Sequence, residues 1–305
     1  MRNTMRTSAM RLKWPFGVTV LLVLLLGAMV LWRFHVGAPL RIVHQKCKPA
    51  YLLSGDPAPC RAIKPAQGYA LLQDKEKGLH TLLIPTVRIA GIESRILTRP
   101  ETPNYFWLAW QARDVVSVAV GRSVPDTAVA ITVDSRYASS HNQLHLRIAC
   151  LRPQIRRQLA LAGSRWNDQW SGYWLLGHRY YLRTLTEAEL AGRGIFLRVA
   201  EELPETGQAM GRHGIALAKL QNGRFVLMVL PSHLLGRGAN LGAPDELQDD
   251  ACATASNASF PTSHYSRVLR RRERPLIDAA RPVMIKRLHS SANGMRAVRS
   301  LQSGR

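Results

Sequence analysis

Between His141 and Cys150 the chain reads His-Asn-Gln-Leu-His-Leu-Arg-Ile-Ala-Cys, and from Gln143 to Ile148 polar and apolar residues alternate without a break. A period of two fits a β-strand and not a helix. Gln143, His145 and Arg147 are therefore expected on one face, with Leu144, Leu146 and Ile148 packed into a core on the other. Neighbours on the polar face of such a strand stand ~6.7 Å apart, a spacing at which an amide, an imidazole and a guanidinium can bracket one phosphate. A half-exposed strand without chemistry shows the same alternation, so the pattern alone defines the element and not its use.

The net charge of +22 is concentrated at the ends of the 305-residue chain. The first 48 residues carry eight Lys/Arg and no acid, and the last 50 carry eleven against Glu273 and Asp278. Residues 49–255 are left with 23 basic and 18 acidic side chains, a balance of +5. A nucleic-acid-binding body would concentrate its cations on the folded part, so nucleic acid is not expected as a partner. An anionic membrane surface suits basic ends better.

Arg2, Arg6, Arg11 and Lys13 precede an uncharged apolar run from Trp14 to Trp32. About 19 such residues cross ~30 Å of hydrocarbon as a helix, with tryptophan at both interfaces. A cleavable signal peptide is the alternative, but its apolar core is usually shorter and ends in small residues, whereas this run ends Leu31-Trp32-Arg33. The expectation is a cytoplasmic basic segment over 1–13, a transmembrane anchor over 14–34 and a body outside the cytoplasm, which in a bacterium is the periplasmic side of the inner membrane. Cys47, Cys60, Cys150 and Cys252 have no metal-ligand spacing, so no metal is expected, and an even count outside the cytosol reads as disulfides. Of three possible pairings, Cys47 with Cys60 closes a short loop and leaves Cys150 with Cys252.

Along the body, Tyr69–Gln73 and Leu79–Ile84 read as strands around a charged turn, and Asn104 can cap a helix running to about Val120. Residues 128–133 form an apolar strand that a polar loop, Asp134 to Ser140, hands to the alternating one. Pro153 starts a helix to Leu161, Thr186 opens a capping box, and Gly194–Glu202 is a further helix. Asn222-Gly223 joins strands over 215–220 and 225–230, and Asp245 to Asp250 is expected as a final helical turn. Strand pairs interleaved with helices, few in βαβ order, indicate an α+β fold with an antiparallel sheet. Residues 253–305, with Arg270-Arg271-Arg272, read as a basic tail with little to bury.

Several blocks of residues 41–252 resemble the bacterial CDP-diacylglycerol pyrophosphatases, a branch of the histidine-triad-like superfamily. They are Pro59-Cys60, Gly68-Tyr69, the run Ile84 to Ile89, the run Thr102 to Asp114, Asp134-Ser135-Arg136, and Gln143 to Arg147 followed by Leu151-Arg152-Pro153. The resemblance implies a histidine-triad-like fold over 41–252, His145 as nucleophile and His178, after Gly177, as a second catalytic histidine. Arg147 stands where the family carries another histidine. Gln143, Arg147, Asn142, Ser135, Arg136 and Ser140, with backbone N–H groups of the loop, are the candidates to hold the substrate's phosphates. The implied reaction is hydrolysis of CDP-diacylglycerol to CMP and phosphatidate through a histidine-bound nucleotide, without a cofactor. A second reading keeps the fold but not turnover: a membrane-anchored protein that binds nucleotide or anionic lipid, because Arg147 holds a phosphate yet cannot exchange a proton near pH 7.

Overall fold

The computed structural model describes residues 16–35, 38–74, 76–162, 166–203, 209–235 and 238–253. The basic segment 1–13 and the tail beyond 253 lie outside them.

One antiparallel sheet organises the body. Its strands are β1 (Cys60–Lys64), β2 (Tyr69–Gln73), β3 (Thr81–Pro85), β4 (Val129–Val133), β5 (Leu146–Leu151), β6 (Ser171–Leu175), β7 (His178–Leu185), β8 (His213–Lys219), β9 (Phe225–Pro231) and the short β10 (Gln248–Asp249). They lie in the order β1-β2-β3-β5-β4-β8-β9-β7-β6, with β10 continuing along one side of β5. The alternating segment is thus central, between β3 and β4. Every pairing is antiparallel, as expected, and the fold is α+β.

Alternation along the strands sorts residues onto two faces. Leu71, Leu83, Ile131, Leu146, Ile148, Leu217 and Leu227 pack with Phe106, Val116, Leu190, Phe196 and Val199 of α4 (Tyr105–Gln111), α5 (Val115–Val120), α7 (Glu187–Gly192) and α8 (Ile195–Glu202). The other face is covered in two separate patches. Val43 and Cys47 close it over Ala70, Leu72 and Leu82, beside α2 (Ala38–Ile42) and α3 (Lys48–Ser54); Ile155 and Leu159 of α6 (Pro153–Leu161) close it over Ala130, Ala218 and Val226. Between the patches the sheet carries polar groups.

Residues 242–252 are strapped across that polar strip. Gly242 O accepts from Ser135 N (2.9 Å), Leu247 O accepts from Arg152 N (2.9 Å), and the Gln248 amide donates to Ala130 O and Arg147 O. The strap passes so close to β8 that a Cβ on Gly214 would collide with Pro244 and Gly242 O. Cys252, disulfide-bonded to Cys150, ends it, and Cys47–Cys60 ties the segment after α2 to β1. Both pairings match the expected ones.

Two local expectations change, and one segment that carried none is resolved. The helix capped by Asn104, whose side chain accepts from Trp107 N, is two helices, α4 and α5, separated at Ala112–Asp114. The Trp-rich segment after 166 forms the β6–β7 hairpin, its turn made by Leu176 (φ 51°) and Gly177 (φ 81°), a left-handed pair whose backbone twist suits tightly paired strands. The expected last helical turn is a 3-10 turn, Pro244–Leu247, followed by β10. At the N-terminus, α1 spans Phe16–His35, with Leu21 to Leu26 exposed. Its side chains are described only as far as Gly27, and among the described residues no helix is long and apolar enough to cross a membrane. The anchor expected over 14–34 stays a proposal.

Candidate functional site

The regular ladder of β5 begins at Leu146, so Gln143 and His145 precede it in a bent approach instead of lying within a continuous strand. Alternation persists nonetheless. Leu144 packs in the core, and its N–H donates to Ile89 O (2.6 Å), which stitches the approach to the loop after β3. His145 is only 4% exposed, and its Nδ1 lies 3.0 Å from Gln143 O. A carbonyl oxygen only accepts, so Nδ1 carries the proton and Nε2 keeps its lone pair. Burial, then the nearby Arg147 charge, pushes the imidazole pKa down to about 4. His145 is therefore a neutral imidazole at neutral pH. The His141 ring meets it edge-on, with centroids 5.5 Å apart.

Gln143 faces inward. Its Oε1 accepts from Ile89 N (3.3 Å) and its Nε2 donates to Val87 O (3.2 Å) and Pro85 O (3.4 Å). The amide is occupied in fixing the loop after β3, so its contribution is to hold the carbonyl that orients His145.

Arg147 sits among carboxylates. Its Nη1 donates to Asp134 and lies 3.5 Å from Asp245, and its Nε is 3.7 Å from Asp74. Burial works against the guanidinium charge, but Asp134, Asp245 and Asp74 outweigh it and hold its pKa above the ordinary value. Asp134 is itself pushed up to about 6, burial outweighing the favourable Arg147 charge. Its Oδ2 takes the arginine, and its buried Oδ1 has no hydrogen-bond partner. Lys77 reaches Asp245 at 3.1 Å, and His80 reaches Asp250 at 2.9 Å. The guanidinium is engaged with acids on three segments, β2's end, β4's end and the strap.

His178 does not join His145. Its Nδ1 is 3.0 Å from Glu246, whose carboxylate also accepts from Tyr180 Oη (2.6 Å). Three strands separate β7 from β5, so the two backbones stand on the order of 19 Å apart along the sheet. Adjacent residues of the 3-10 turn thus serve different ends of the strip: Asp245 meets Arg147 and Glu246 meets His178.

The loop from Asp134 to Ser140 is largely self-satisfied. The Ser135 hydroxyl donates to Leu241 O, while Tyr137 N donates to Ser135 Oγ, Ser139 N to Ser135 O and Arg136 N to Gly211 O. These N–H groups already donate within the protein. Arg136, Ser140 and Asn142 are exposed.

Beside Gln143 opens a cleft of about 320 Å³ lined by Leu40, Arg41, His44, Gln45, Arg88, Asn142 and Gln143. Two guanidiniums and three amides, one of them the already engaged Gln143, make it suited to an anion, and His44 Nε2 is fixed at 2.7 Å from Thr86 O. Of its seven residues only Asn142 and Gln143 are expected from sequence. Arg88 was already within a family-like block, Ile84 to Ile89, but nothing local distinguishes Arg41, His44 and Gln45, because only the docking of α2 beside β3 brings them there. Among the described residues no group of three or more His, Cys, Asp or Glu side chains is arranged to hold a metal ion. Compared with known families, the chain matches the one described as CDP-diacylglycerol pyrophosphatase over residues 37–256.

Proposed function

This chain belongs to the CDP-diacylglycerol pyrophosphatase family, and from that premise we propose that it hydrolyses CDP-diacylglycerol to CMP and phosphatidate, with His145 as nucleophile. The observation that carries the reading is the His145 tautomer: a buried, neutral imidazole whose Nδ1 is bonded to Gln143 O and whose Nε2 has its lone pair available. Nε2 attacks the phosphorus next to cytidine, and the bond from that phosphorus to the bridging oxygen breaks. Phosphatidate leaves with the bridging electrons, as a phosphate monoester that needs little protonation near pH 7. Water then attacks the same phosphorus, its proton passes to solvent, the P–N bond breaks and CMP departs, returning the electron pair to Nε2. One hard displacement becomes two easier ones.

The non-bridging oxygens of the pyrophosphate reach into the Arg41/Arg88 cleft beside Gln143, with Asn142 as a further donor, where cations stabilise their charge. Arg147 serves differently from the sequence expectation: engaged by Asp134, it holds the end of β4 and the strap around His145 instead of gripping phosphate. The lipid substrate resides in a bilayer, which agrees with an anchor over residues 14–34.

The test is the full-length protein in detergent micelles with CDP-diacylglycerol, followed by detection of CMP and phosphatidate. Both products from wild type and neither from His145→Ala are expected. Binding of the substrate without any CMP release from wild type would favour a non-hydrolysing lipid-nucleotide receptor on the same fold.

A further inference from the structure

We infer that the end of the sheet carrying His145 is a bilayer-contact surface, in which the loop bearing Leu234 and Leu235 enters the interface of an anionic membrane. The inference rests on the lipid substrate proposed above.

Strand register places the relevant loops at one end. Pro85 pairs with Tyr69, Leu146 with Leu83, Val133 with Ile215 and His213 with Pro231. The loops after β3, before β5, after β4, before β8 and after β9 therefore all leave from the same edge of the sheet. Hydrogen bonds lace them together: Leu144 N to Ile89 O, Arg136 N to Gly211 O, Ser135 N to Gly242 O and Ser232 N to Arg212 O. The loop after β9 is closed at its base by His233 and Asn240, whose N–H groups donate to each other's carbonyls at 2.9 and 2.7 Å.

Above that base Leu235 is 90% exposed and Leu234 48%, Leu241 (52%) follows the base, and Val87 (54%) leaves the same end of the sheet on the loop after β3. Four large aliphatic side chains left in water on hydrogen-bonded loops, where a core was available elsewhere, mark a contact surface. Charge identifies the partner. Arg136, next to the Ser135 that bonds Leu241, and Arg41 and Arg88, which line the cleft, lie at this same end, a combination that attracts anionic headgroups while the leucines enter the acyl boundary. Chain continuity agrees, since α1, with its exposed apolar residues from Val18 to Leu26, ends at His35, and Leu40 and Arg41 of α2 line the cleft at this same end. Docked this way, the cleft lies at the membrane-facing end and a diacylglyceryl substrate need not leave the bilayer.

The experiment uses full-length protein reconstituted into vesicles of phosphatidylethanolamine and phosphatidylglycerol. An environment-sensitive fluorophore is placed at Leu235→Cys or, as control, at Leu53→Cys, which is exposed on α3 beyond the Cys47–Cys60 end. Blue-shifted emission, quenched by lipids brominated in their chains, is expected at 235 and not at 53. Equal, water-like emission at both positions overturns the proposal. The double variant Leu234→Ser/Leu235→Ser is expected to raise KM for long-chain CDP-diacylglycerol in vesicles about tenfold, the change that burial of one leucine supports. Turnover of a short-chain analogue dissolved as monomers stays unchanged. Equal losses on both substrates count against docking. Absence of turnover in every form would refute the hydrolase reading, while the fluorescence comparison still decides the docking surface.

Discussion

Nδ1 of His145 lies 3.0 Å from the backbone oxygen of Gln143, two residues upstream. That contact makes Nε2 the unprotonated nitrogen, and the Gln143 amide that holds the carbonyl is itself bonded to the 85–89 loop. Orientation of the proposed nucleophile thus depends on a neighbour that never needs to touch substrate. His145→Ala is expected to abolish CMP release with the fold retained, and Gln143→Ala to lower turnover roughly 10²-fold without removing the nucleophile. His178→Ala, held by Glu246 away from His145, is expected to leave turnover within about twofold. CMP release by the three variants under one set of conditions is the measurement, and loss of activity in His178→Ala would restore that residue to the reaction.

His145 also predicts a pH dependence of stability. Its folded pKa is lowered to about 4 from the ordinary 6.5, so between those values the unfolded chain binds a proton that the folded one does not. Stability contributed by the neutral imidazole is complete above about pH 6.5 and is lost as pH falls toward 4, amounting to about 3 kcal/mol. Urea unfolding at steps across this window should give a steeper loss for wild type than for His145→Ala. Equal slopes would show that the ring is charged or solvated in the native state.

Arg147 and Asp134 form the most consequential ion pair of the strip. Arg147→Met leaves the Asp134 carboxylate buried with neither oxygen bonded to a cation, which is expected to cost about 3 kcal/mol or more above pH 7. Burial raises the Asp134 pKa to about 6 even with the Arg147 charge beside it, and losing that charge raises it further, so the cost should shrink as pH falls toward 6 and the variant's carboxyl takes up a proton. Arg147→Met/Asp134→Asn should recover most of the loss in a double-mutant cycle. Additive single effects would mean that the pair contributes little.

The Cys150–Cys252 bridge closes a span of 102 residues, for which chain entropy gives about 4 to 5 kcal/mol. It also fixes the strap that brings Asp245 to Arg147 and Glu246 to His178. Cys150→Ser/Cys252→Ser is expected to lower thermal stability and to speed amide exchange in 242–252 before the rest of the sheet. Uniform exchange changes would argue that the strap is held without the bridge.

For topology, the proposed anchor over 14–34 leads to a body outside the cytoplasm. A reporter active only after export, fused after Cys252, is expected to be active, and a cytoplasm-dependent reporter silent. The reverse pattern would sink the assignment.

Much of this protein is determined locally. Alternation in 143–148 fixes which side chains enter the core, because adjacent residues of a strand face opposite ways. Asn222-Gly223 and the Thr186–Glu189 capping box specify a turn and a helix start through backbone geometry and short-range hydrogen bonds, and both form as read. The disulfide partners followed from count and spacing. What sequence spacing does not contain is the company that polar side chains keep. Gln143 and Arg147 look alike as phosphate ligands on an alternating strand, yet one is engaged by the 85–89 loop and the other by Asp74, Asp134 and Asp245. Asp245 is 98 residues from Arg147 in sequence, and Arg41 meets Arg88 only where α2 docks against the sheet. Hydrogen bonds and ion pairs act over a few ångströms, so partners distant in sequence are chosen by how strands stack and where the strap crosses them, which only the tertiary structure decides.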